Sequence, residues 1–115
     1  MSAPAALRLA LTEFADRINQ DPKLRKMVAD WERIIALEAT DGAGAGIHVH
    51  EGEVRVVELP ADPDIRLLAE GEVLEAVFSG RMSPAEPYVE GSLRVEGSQE
   101  DVLRLDFLSL MIWGE

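Results

Sequence analysis

Residues 63–110 read PDIRLLAEGEVLEAVFSGRMSPAEPYVEGSLRVEGSQEDVLRLDFLSL, and the changes of apolar spacing along this stretch decide the fold. DIRLLA, opened by Asp64, is short enough to be a strand. In GEVLEAVFSG, Val73, Leu74, Val77 and Phe78 then sit at helical spacing, and Gly80 supplies the stop. Ser83, Pro84 and Glu86 form a capping box with Pro at the first helical position, while Pro87 limits the helix it opens to a single turn or 3₁₀ geometry. SLRVEG places Leu93 and Val95 on one strand face, between two glycines. Ser98 to Asp101 caps a final helix.

Toward the N-terminus, Leu7, Leu11, Phe14 and Ile18 draw one stripe down a helix. Asp21-Pro22 starts a second, shorter one, with Leu24, Met27, Val28 and Trp31 on its buried side. From Trp31 to Leu59 the pattern turns to alternating and β-branched residues and reads as three strands. Gly42 to Gly46 makes a loose connection between the first two, and Glu51-Gly52 a tight hairpin turn. A meander is the simplest topology for these strands. The element order is α-α-β-β-β-β-α-α-β-α. It defines an α+β domain with about five strands in a mainly antiparallel sheet, one face of which helices must cover.

The chain of 115 residues suits a single domain, and 47% hydrophobic with 29% charged residues is the balance of a globular protein. A net charge of -11 repels a phosphate backbone and excludes nucleic acid as a natural partner. The absence of Cys excludes thiolate chemistry and Cys-based zinc sites. The start carries Arg8 and Glu13 where a signal peptide needs an apolar run, no stretch is long enough to span a bilayer, and a cytoplasmic location without stable membrane insertion is the expectation.

The last helix sets the functional question. Leu103, Phe107, Leu110 and Met111 form one apolar stripe, and Leu105, Leu108 and Ile112 a second. The first is expected to pack on the sheet. The second must meet another helix, another chain or a bound apolar molecule, because leaving it wet forgoes several kcal/mol at about 25 cal/mol per Å². Residues 63 to 113 resemble the C-terminal half of the sterol carrier protein-2 (SCP-2) domain. Asp64 matches that family's strand-leading acid, Gly80 its helix end, Ser83-Pro84 its turn, Tyr88 the aromatic before Gly91, and Gly97 the second glycine of its Gly-strand-Gly unit. Pro87 departs from the small residue expected there.

The resemblance implies an SCP-2-like fold holding an apolar ligand, such as a fatty acid, lipid or sterol-like molecule, in a tunnel between sheet and helices. The expected lining is Leu67, Leu74, Val77, Phe78, Met82, Tyr88, Leu105, Leu108, Met111 and Ile112, with no catalytic residue and no cofactor. The alternative is an interaction module, such as a homodimer, with the last helix at the interface. His48 and His50 share a strand face at a spacing that can serve metal, yet no motif supplies a third ligand, and an exposed polar face is the expectation. Ser79, Ser92 and Ser98 lie in no nucleophile motif and read as caps and turns.

Overall fold

The computed structural model describes residues 3–42 and 44–113. Helix α1 (Ala3–Gln20) turns Leu7, Leu11, Phe14 and Ile18 inward, and all four are buried. Asp21 caps α2 (Pro22–Val28) by accepting the Lys23 N–H at 2.9 Å. That helix ends before Trp31, which is buried in the approach to β1. Strands β1 (Arg33–Ala39), β2 (Ala45–His50) and β3 (Glu53–Val57) form the expected antiparallel meander. Glu51 (φ 51°) and Gly52 (φ 73°) make the tight turn between β2 and β3.

Strand β4 (Ile65–Ala69) does not continue the meander. It pairs parallel with β1, and β5 (Arg94–Glu96) pairs antiparallel with β4, giving the order β3-β2-β1-β4-β5. The sheet is therefore mixed, with antiparallel pairs in the majority. Residues 58–64 carry the chain across the sheet between β3 and β4, and Pro60 Cδ lies against Gly46 of β2. Asp64 fixes the arrival: its N–H donates to the Ile34 carbonyl at 2.7 Å and its Oδ2 accepts the Ile34 N–H at 2.8 Å.

Ile35, Leu37, Ile47, Ile65 and Leu67 lie on the sheet face that the helices cover, and all are buried. Helix α3 (Gly71–Phe78) packs on α1, where Phe78 meets Phe14 edge-on with ring centroids 5.1 Å apart. Asp41 Oδ1 accepts the Gly71 N–H at 2.9 Å and so ties the β1–β2 connection to the start of α3. Helix α4 (Ala85–Glu90) is α-helical and longer than the expected single turn. Pro87 occupies its third position, where a backbone N–H has no partner within the helix, so the ring costs no bond. Gly91, at φ 87°, ends it. Helix α5 (Gln99–Trp113) closes the fold, its start capped by Ser98 Oγ accepting the Asp101 N–H at 3.1 Å.

Candidate functional site

A cavity of about 340 Å³ opens between β4–β5, α3, α4 and α5. Strand β4 contributes Leu67, and α3 contributes Leu74, Val77 and Phe78 through the helical spacing that buries them. Leu93 and Val95 come from the β5 segment, and Pro84, Ala85 and Tyr88 from α4 and its start. Val102, Leu103, Leu105, Asp106 and Ser109 come from α5. Tyr88 (58% exposed) and Leu103 (59% exposed) stand at its mouth. Of the polar side chains, the Ser109 hydroxyl donates to the Leu105 carbonyl at 3.2 Å, and Asp106 is exposed.

Six of the ten residues expected to line a tunnel are brought together here: Leu67, Leu74, Val77, Phe78, Tyr88 and Leu105. The other four lie elsewhere. Leu108 is 1% exposed and belongs to the core, Met82 and Ile112 are half-buried against that core, and Met111 is half exposed on the outer side of α5. The stripes of α5 are thus exchanged relative to the expectation. Leu105 and Leu108 pack inward, whereas Leu103, Phe107, Leu110 and Met111, expected on the sheet, are exposed.

Asp101 accounts for the exchange, since it shares the i, i+4, i+7, i+11 stripe of Leu105, Leu108 and Ile112. Its carboxylate accepts from Trp31 Nε1 at 2.8 Å and from Arg33 Nε at 2.9 Å, so that side of the helix must face the body of the domain. Arg104, beside it, lies 5.6 Å from the Trp31 ring centroid. Burial, the strongest influence on the Asp101 carboxyl, pushes its pKa up, yet the bonds from Trp31, Arg33 and Ser98 together hold it below the ordinary value. Asp106 and Ser109 are absent from the expected lining because a pattern of apolar residues carries no signal for them. Leu93 and Val95 carried a usable signal in their shared strand face.

His48 and His50 stack with ring centroids 5.5 Å apart on the opposite sheet face, and His50 Nδ1 lies 3.0 Å from Glu32. Among the described residues no group of three or more His, Asp or Glu is placed to hold a metal ion. Ser79 donates to the Ala76 carbonyl and Ser92 to the Pro87 carbonyl, both structural roles.

A five-stranded mixed sheet, helices on one of its faces and an apolar cavity beneath the last of them make up a small α+β domain. The chain belongs to the SCP-2 sterol transfer family, whose pattern matches residues 11–108. Solved structures agree in fold. A ubiquinone synthesis protein, UbiJ-SCP2, is similar at 18% identity, TM-score 0.75, over 95% of this chain and 96% of that one. The sterol carrier protein domain 2 of Helicoverpa armigera is similar at 16% identity, TM-score 0.76, over 91% and 86%. The palmitated SCP2L2 of Aedes aegypti is similar at 13% identity, TM-score 0.61, over 87% and 90%. Among curated proteins none matches the chain in sequence. No described helix is long and apolar enough to cross a membrane.

Proposed function

We propose that the domain binds one long-chain apolar molecule, without chemistry, in the cavity between β4–β5 and α3–α5. The observation that carries this reading is the cavity wall, which is aliphatic and aromatic except at Asp106 and Ser109. Its volume falls in the range of about 300–1,000 Å³ that small-molecule sites occupy. Family membership and the palmitate carried by the Aedes aegypti relative support the same class of ligand. Each methylene buried in such a wall contributes about 0.8 kcal/mol, so affinity should rise about fourfold per carbon until the cavity is full and then level off.

Titration with uncharged pyrenyl-alkyl probes of increasing length measures this, and native against denaturing mass spectrometry reads any copurified ligand. Ala85→Trp places an indole at the cavity edge from an exposed position, and should weaken probe binding while leaving the melting temperature unchanged. A parent protein that binds no probe of any length and carries no lipid would sink the reading. The exposed stripe of α5 favours a second one, a homodimer built on Leu103, Phe107, Leu110 and Met111. Light scattering on the parent and on Phe107→Asp decides it, since a dimer that this change converts to a folded monomer places the interface there.

A further inference from the structure

The polar groups at the cavity carry information about the head of the ligand that the apolar wall cannot. Every Lys, Arg and His of the chain is among the described residues, and none lines the cavity. The cations on neighbouring elements are committed elsewhere. Arg81, after α3, pairs with Glu75, and Arg94 of β5 lies 3.7 Å from Glu96. Arg104 of α5 donates to the Met27 carbonyl at 3.1 Å and lies 3.2 Å from Asp30. What the wall does offer is acceptors. The Asp106 carboxylate makes no hydrogen bond or ion pair among the described residues and is free to accept. Ser109 spends its proton on the Leu105 carbonyl and keeps lone pairs to receive another.

A carboxylate or phosphate brought to this edge would meet a like charge with no cation to offset it. A hydroxyl would meet acceptors waiting for its proton. We infer that the cavity selects an uncharged ligand whose polar end donates a hydrogen bond, such as a long-chain alcohol, over ligands of equal length ending in an anion. This rests on the lipid-binding reading above and narrows it to a ligand class.

The test is displacement of an uncharged pyrenyl-alkyl probe by dodecanol, dodecanoate and methyl dodecanoate at neutral pH, where the acid is ionised. Dodecanol should displace the probe at a concentration about tenfold below that of dodecanoate, which corresponds to about 1.4 kcal/mol, with the methyl ester between them. Asp106→Lys should abolish or reverse the preference for alcohol over acid. Asp16→Lys, the same charge change at an exposed position on α1, should leave it intact. Because Asp106 is exposed and unpartnered, its replacement leaves the fold in place. Equal displacement by alcohol and acid in the parent, or a preference that Asp106→Lys does not move, overturns the inference while leaving lipid binding standing. A parent that never binds the probe overturns both, and that result is distinct from the other two.

Discussion

Asp101 is buried, with 6% of its surface exposed, and no other charged side chain among the described residues is. A carboxylate in that position costs desolvation energy that only good partners offset. Trp31 Nε1 and Arg33 Nε provide them, while Ser98 Oγ accepts the Asp101 backbone N–H, and the Trp31 bond joins residues 70 apart in sequence. Asp101→Ala leaves the indole N–H and the guanidinium without their acceptor, and should cost about 3 kcal/mol in urea unfolding, against about 1 kcal/mol for loss of an ordinary cap. The pH dependence has a definite sign. The folded carboxyl titrates below its ordinary value, so the stability it contributes is fully present above about pH 5 and drains away as pH falls below about 4. Urea melts at both ends of that window should show the gap between parent and Asp101→Asn shrinking in acid. A gap that grows instead would mean the carboxyl is held above its ordinary value.

At the scale of elements, α5 shows what sequence periodicity can and cannot decide. Apolar residues occupy most of its circumference, so the wheel offers two stripes and no means of choosing between them. The choice is tertiary: Asp101 binds Trp31 and Arg33, and the helix is turned accordingly. By contrast, the spacing of α1 and α3 was decisive, because each has a single stripe against polar residues, and Leu7, Leu11, Leu74 and Phe78 are all buried as read. The cavity was legible where α3 and the β4 strand supply it, and along α5 only at Leu105, because the turn of that helix was open. Two substitutions separate the alternatives. Leu103→Asp, at an exposed position, should change stability by no more than about 0.5 kcal/mol. Leu108→Asp places a carboxylate in the core and should abolish the cooperative thermal transition seen by circular dichroism, a loss beyond about 4 kcal/mol. Unfolding by Leu103→Asp with Leu108→Asp tolerated would restore the other orientation.

Across the whole molecule, the feature that a local reading does not reach is the route from β3 to β4. Alternation identifies strands, but it does not say which edge a later strand joins. Here the chain passes over β2 and β1 on the face away from the helices, and the parallel β1–β4 pair is the result. Gly46 makes room for that crossing. A Cβ built there would stand 2.6 Å from Pro60 Cδ, 3.0 Å from the Glu58 carbonyl oxygen and 3.1 Å from that of Ile35. The glycines of GAGAG look in sequence like slack in a loop, yet Gly46 sits within β2 because backbone from another part of the chain lies against it. Gly46→Ala must push the crossing outward and should destabilise the domain by about 1–3 kcal/mol. Gly42→Ala is its control, since a Cβ there meets nothing within 4 Å, and the loss of unfolded-state freedom should leave the protein unchanged or more stable by up to about 1 kcal/mol. Because the crossing and the cavity lie on opposite faces of the sheet, Gly46→Ala should lower the melting temperature yet keep the parent's affinity for an uncharged alkyl probe at temperatures where it remains folded. Loss of probe affinity in a folded Gly46→Ala protein would show that strain at the outer face reaches the cavity through β1 and β4, and the two faces could no longer be treated as independent.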